Sequence, residues 1–266
     1  MNIWTRKSIE LANQDNYLDL LYKVYPMSSN IERKLPRDFE KKLSSVFKTR
    51  SNQELIELCL RPEIFPVKDS YVSYLRLDPK AIKRNPETVN RIAGIIYEMG
   101  LNEVLKKMKS PKETNRQIGP LFKHWIAEGY LGVPVFDNEG KFMSYKGNCV
   151  FNTNSDDKMK LFAEKNLGYS HEKGLDFIGK FNGKYVIAEA KFLTDRGGHQ
   201  NAQLADALNT MRSELKDTNR NVIKIAVLDG VIYIPNKGKM YQSLKDAKDN
   251  EVIISAILLR DYLFSI

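Results

Sequence analysis

Apolar and polar positions change their rhythm near residue 130. Upstream, apolar residues recur at three- and four-residue spacing, and the punctuation is that of helices. Ser51-Asn52-Gln53-Glu54 reads as a capping box ahead of the apolar run 54–60. Asn85 places a cap before Pro86 at a first helical position, and Gly100 stops the helix that follows. Ser110-Pro111-Lys112-Glu113 repeats this logic and opens a further helix, which Gly119-Pro120 is expected to kink. Downstream, runs rich in β-branched and aromatic residues predict strands at 131–136, 174–181, 184–192, 221–228 and 230–235. A helix from about His199 to Leu215 separates the third from the fourth, another covers 237–248, and 251–266 reads as a strand plus a helix. The order strand, strand, helix, strand predicts an α/β fold, a mixed central β-sheet flanked by helices. Residues 1–110 form a helical N-terminal portion and 111–266 the core, with no internal repeat or flexible linker at the boundary.

Asn182-Gly183 is a strong hairpin signal, the pair that a two-residue type I′ turn demands. Counting outward pairs Phe181 with Lys184, Lys180 with Tyr185, Gly179 with Val186, Ile178 with Ile187 and Phe177 with Ala188. The next pair is Asp176 with Glu189. Side chains so opposed have Cβ atoms about 5 Å apart, and like charges there repel. Alternation puts Lys191 on the face of Glu189, while Val186, Ala188, Ala190 and Phe192 read as a core face. A divalent cation between the carboxylates would explain their pairing, and hard oxygen donors in that number suit Mg²⁺. Without the ion the pair is expected to be strained, so that Asp176→Asn should raise stability in metal-free buffer. Lys191 adds a positive charge beside the metal, where a phosphate would sit.

Asp176 followed by Glu189-Ala190-Lys191 resembles the PD-(D/E)XK nuclease motif, and its Glu-Ala-Lys form is similar to that of several type II restriction endonucleases. The resemblance covers roughly residues 112–235. Gly174-Leu175, where the motif has Pro, precedes Asp176, a variation the family tolerates. The resemblance implies a restriction-endonuclease-like core and Mg²⁺-dependent, sequence-specific cleavage of double-stranded DNA that leaves 5′-phosphates. It implies catalytic roles for Asp176, Glu189 and Lys191, and metal binding by Asp176, Glu189 and the Ala190 carbonyl. Lys191 would position water and stabilise the transition state. It further implies a homodimer on a palindromic site and a cognate DNA methyltransferase as genetic partner. Two alternatives stand beside this: a structure-specific repair or recombination nuclease of the same superfamily, and a non-catalytic DNA-binding protein with a degenerate nuclease core. The large helical portion, with room for DNA contacts, favours restriction, and the complete Asp-Glu-Lys set disfavours degeneracy.

Charge extends this picture. Lys and Arg number 42 against 33 Asp and Glu, an excess of +9 that suits a polyanionic partner. The segment after Lys191 carries Arg196, His199, Gln200, Asn201 and Gln203, side chains that bond bases or phosphates, around Gly197-Gly198. Asp195 reads as a cap there or as a partner that orients Arg196. A second basic stretch runs from Lys106, Lys107 and Lys109 to Lys112, Asn115, Arg116 and Gln117. Glu113 and Glu128 read as a capping and a surface residue, and His124 as half-buried packing beside Trp125. Three histidines and the separated Cys59 and Cys149 give no zinc pattern. No GxxxxGK[ST] or GxSxG sequence occurs. The charged N-terminus has no signal-peptide run and no stretch is apolar enough to span a membrane, so a reducing cytoplasm is expected.

Overall fold

Two helices open the chain, α1 (Ile3–Ala12) and α2 (Tyr17–Val24). The Asn2 side chain caps α1 by accepting the Trp4 N–H at 2.9 Å. The computed structural model describes residues 1–26, 32–111 and 114–266, except the side chains of 114–117. It forms two units: Met1–Met27 with Glu113–Ile266, and Ser28–Lys112. The first 27 residues thus belong with the core, where the sequence pattern grouped them with the helical portion.

The unit Ser28–Lys112 is helical: α3 (Phe39–Thr49), α4 (Asn52–Cys59), α5 (Tyr71–Leu77), α6 (Ala81–Arg84), α7 (Pro86–Met99) and α8 (Leu101–Met108). Leu43, Leu55, Ile56, Val89, Ile92, Ile96 and Val104 are among its buried apolar residues. Gly100, at φ 79°, separates α7 from α8 as its position in the sequence suggests. Ser51 precedes α4, but its side chain makes no capping bond, and only its carbonyl serves the helix, accepting Leu55 N–H at 3.0 Å.

The other unit continues with α9 (Thr114–Ala127), β1 (Val135–Phe136), α10 (Glu139–Ser144), β2 (Cys149–Asn152), α11 (Asp156–Leu167), β3 (Phe177–Phe181), β4 (Lys184–Leu193), α12 (Gly198–Arg212), β5 (Val222–Gly230), α13 (Lys239–Lys245), β6 (Val252–Ile254) and α14 (Leu259–Ser265). The strands make one sheet in chain order, β1 to β6. The pairs β1–β2, β4–β5 and β5–β6 are parallel, and β2–β3 and β3–β4 antiparallel. Helices cover both faces: α9 lies against β4, α11 against β3, and α12 against β4 and β5. Pro120 lies inside α9, which runs on as one element to Ala127. At β6, buried Thr5 and Ser8 of α1 accept the Ile253 and Ser255 N–H groups at 3.2 and 3.0 Å, so helix hydroxyls serve backbone donors at the sheet's edge.

Of 230–235, only Gly230 is strand, as the last residue of β5. Gly230 takes φ 90° and the chain turns into a 3₁₀ helix, Val231–Tyr233. A Cβ on Gly230 would lie 2.2 Å from the Leu193 carbonyl oxygen, so only glycine lets the chain turn against the end of β4. Of 131–136, only Val135–Phe136 pairs as strand.

Candidate active site

The β3–β4 hairpin forms as its turn residues dictate. Asn182 (φ 48°) and Gly183 (φ 79°) both have positive φ, and the counted register holds from Phe181↔Lys184 to Phe177↔Ala188. The ladder ends there. Asp176 donates its N–H to the carbonyl of Ala188 at 2.9 Å, and its Oδ2 accepts the Ala190 N–H at 2.7 Å. Asp176 therefore does not stand opposite Glu189. Ala188 serves two successive residues, and the carboxylate folds back over β4.

The carboxylates still converge, on a cation. Lys191 Nζ lies 2.8 Å from Glu189 Oε1 and 3.8 Å from Asp176 Oδ2. Glu189 Oε2 accepts the Thr210 hydroxyl of α12 at 2.6 Å. On the other side of Asp176, Lys123 of α9 lies 3.4 Å from Oδ1 and also pairs with Asp156, the first residue of α11. Gly174 gives Asp156 room, since a Cβ there would lie 2.6 Å from the Asp156 Cβ. The side chains of Asp176 and Glu189 keep only 12% and 7% exposure, so the ammonium groups, more than water, offset their charge. Burial works against charge on Lys191, but Asp176 and Glu189 outweigh it and hold the ammonium above the usual lysine range. The expectation that Asp176 is strained without metal is thereby overturned: it has a backbone donor and two lysines as native partners.

Two desolvated carboxylates converging on one ammonium make a place where a cation is at home. Among the described residues no three His, Cys, Asp or Glu are grouped to hold a metal. The donor set is Asp176 and Glu189, hard oxygens in the number that Mg²⁺ takes when it keeps its waters.

The segment after β4 is built more tightly than its composition suggests. Gln200 is buried, its Nε2 donating to Thr194 Oγ1 at 3.0 Å and its Oε1 accepting the Thr194 N–H at 3.4 Å. It braces the segment from within and does not face outward as a DNA contact would. Asn201 donates back to the Arg196 and Gly197 carbonyls at 3.1 and 3.0 Å. Asp195 accepts the Gly197 N–H at 2.6 Å, holding the turn into α12. Arg196 and His199 are exposed, and Gln203 lies 3.1 Å from His199 Nε2.

Of the second basic stretch, Lys106 is exposed, 3.9 Å from Glu103, and Lys109 pairs with Glu40 at 2.6 Å. Lys112 and Glu113 lie outside the described residues. Asn115, Arg116 and Gln117 fall in the first turns of α9, and their side chains lie outside the description. His124 is exposed beside Glu128 at 3.7 Å, not half-buried, because it lies on the outer side of α9 from Phe122 and Trp125. Three residues of the site escaped sequence reasoning: Lys123, Asp156 and Thr210. Each belongs to a helix, and nothing in its local pattern separates it from a solvated lysine, a first-turn acid or a small core residue.

A six-stranded mixed sheet flanked by helices is the restriction-endonuclease-like fold, and PD-(D/E)XK nucleases are its general class. The chain belongs to the Tsp45I type II restriction enzyme family, whose model matches residues 2–266. It is a site-specific deoxyribonuclease that acts on DNA, and type II restriction enzymes generally use a divalent metal. Comparison with curated proteins and with solved structures finds no match. No helix among the described residues is long and apolar enough to cross a membrane.

Proposed function

We propose that the chain cleaves double-stranded DNA in a Mg²⁺-dependent reaction at Asp176, Glu189 and Lys191, leaving 5′-phosphates. The observation that carries this reading is the convergence of both carboxylates on Lys191 Nζ, at 3.8 and 2.8 Å. Asp176, Glu189 and the Ala190 carbonyl would hold the ion. When bound, a divalent cation lowers the pKa of water and offsets charge on the scissile phosphate. The Ala190 N–H fixes Asp176 through Oδ2, and Thr210 fixes Glu189 through Oε2, so each carboxylate is oriented by a group outside the Asp-Glu-Lys set. Lys191 Nζ, charged and only partly exposed, is placed to donate to water or to a phosphate oxygen where negative charge grows.

Arg196, His199 and Gln203 are the DNA contacts we propose beside the site, with Asn201 shaping the turn that carries them. Lys112, Arg116 and Gln117 are proposed to follow the phosphate backbone. Between Ser28 and Lys112, eighteen Lys and Arg face eleven Asp and Glu, so +7 of the +9 excess lies in the helical unit. That concentration supports a share in DNA binding for this unit. A homodimer on a two-fold site, a cognate methyltransferase and a reducing cytoplasm complete the proposal, the last in keeping with two free thiols.

Plasmid digestion with and without Mg²⁺ tests the reading, with Lys191→Ala as the key variant. The wild type should give discrete bands only with the metal. Lys191→Ala should lose cleavage and keep specific binding in a gel shift. Cleavage by Lys191→Ala within tenfold of wild type removes Lys191 from the chemistry.

A further inference from the structure

We propose that Lys123 is a tethered counter-cation: it occupies Asp176 Oδ1 in the metal-free enzyme and withdraws to Asp156 when that oxygen is needed for a metal ion. The inference rests on the reading of Asp176 as a metal ligand.

The two oxygens of Asp176 are employed differently. Oδ2 is bonded to the Ala190 N–H at 2.7 Å, a backbone donor that cannot leave without disturbing β4. Oδ1 faces the Lys123 ammonium at 3.4 Å, a looser contact to a mobile group on a four-carbon stem. Oδ1 is therefore the oxygen Asp176 can give up, and Lys123 is what holds it. A carboxylate with 12% exposure needs such a partner, because leaving a buried charge unpaired is unfavourable.

Lys123 also has somewhere to go. It also pairs with Asp156, whose side chain is 54% exposed, so an ammonium held there stays close to water. The three groups form a line, Asp176–Lys123–Asp156, in which the lysine can release one acid without losing both. Gly174 permits the line, since any side chain there would meet Asp156. Lys191 is tied to Glu189 at 2.8 Å, and among the described residues its ion pairs are with Glu189 and Asp176, the two acids of the site itself.

The exchange predicts opposite effects from two neighbours. Titrate Mn²⁺ calorimetrically into the DNA-free full chain. Lys123→Met removes the competitor and should bind Mn²⁺ roughly three- to fivefold more tightly, the scale of a partly exposed ion pair. Asp156→Asn removes the refuge and should weaken binding by a similar factor. In the Lys123→Met background Asp156→Asn should then change nothing, because Asp156 acts only through Lys123. Lys173→Met removes a nearby lysine paired with Asp206 at 2.8 Å and should leave the affinity within twofold. Equal tightening by Lys173→Met marks a general field effect and overturns the proposal. So does unchanged or weakened binding in Lys123→Met while Asp176→Asn abolishes binding, and so does an Asp156→Asn effect that persists without Lys123. Undiminished Mn²⁺ binding by Asp176→Asn and Glu189→Gln brings down the metal site itself, and the proposal with it. If Lys123→Met fails to fold, Lys123→Gln takes its place, and the Asp156→Asn arm still decides between weakening and no effect.

Discussion

Asp176 accepts one backbone N–H and lies within reach of two ammoniums, so its negative charge works for the metal-free fold rather than against it. Pairing arithmetic from the turn placed it correctly at the end of the hairpin. Its partners were hidden because Lys123 comes from a helix far upstream, and because the extra bond to Ala188 shifts Asp176 off its expected mate. An Asn in its place can still accept the Ala190 N–H but turns a neutral amide toward the lysines. Asp176→Asn should therefore lower stability in EDTA, by about 1–2 kcal/mol, the scale of hydrogen bonds to charged groups reduced for partial exposure. Thermal melts in EDTA check this. An equal or higher melting temperature would restore the view that Asp176 and Glu189 repel with nothing to offset them.

Between residues and the whole chain, what was legible depended on how local the cause was. The β3–β4 hairpin, β5 and α12 announce themselves through a two-residue turn, β-branched runs and a long stretch without breakers. By contrast β2, four residues long, exists because β1 and β3 flank it, and no local signal marks it. Residues 231–235 have strand composition but follow Gly230, whose φ of 90° ends the strand. The segment from Thr194 to Gln203 shows the same limit at a functional place. Its polar side chains look alike in sequence, yet Gln200 is buried brace and Arg196 is exposed. The two should separate experimentally. Gln200→Ala should lower the melting temperature, because it removes both hydrogen bonds between the buried Gln200 amide and Thr194, at about 1–3 kcal/mol. Arg196→Ala should leave melting unchanged and weaken cognate DNA by about 1–3 kcal/mol. Loss confined to the cognate duplex would mean base reading. Equal loss on a scrambled duplex, with the salt slope flatter by about one, would mean a phosphate contact. If Arg196→Ala changes neither affinity nor slope, Arg196 does not contact DNA.

Across the whole molecule, one buried carboxylate joins the chain's beginning to its end. Asp229, in β5, accepts hydrogen bonds from Tyr25 Oη at 2.8 Å, Tyr17 Oη at 3.3 Å, Ser255 Oγ at 2.5 Å and the Ala256 N–H at 3.2 Å. Tyr17 in turn accepts the Gly230 N–H at 3.1 Å. The residues before 27 are thereby tied to the central sheet, which the sequence could not show because Asp229 looks like a strand-end acid. Burial pushes the Asp229 carboxyl up to about 6, and the four hydrogen bonds only partly counter it. The sign follows from linkage. A carboxyl near 6 in the fold and 3.8 when unfolded binds its proton more tightly in the fold, so its contribution is fully present below 3.8 and is lost as pH rises through 6. Moving from pH 7.5 to pH 5.0 should thus add about 1.4 kcal/mol from this group. For a unit of this size that is roughly 3–6 °C in melting temperature. Asp229→Asn keeps an acceptor for the Ala256 N–H and removes the titration. Wild type and variant should differ in their pH response by that amount, with the wild type gaining more on acidification, since every other group titrates alike in both. Parallel responses of the two proteins between pH 7.5 and 5.0 would show that Asp229 does not titrate there. A larger gain in the variant would show that its hydrogen bonds outweigh burial and hold the carboxyl low.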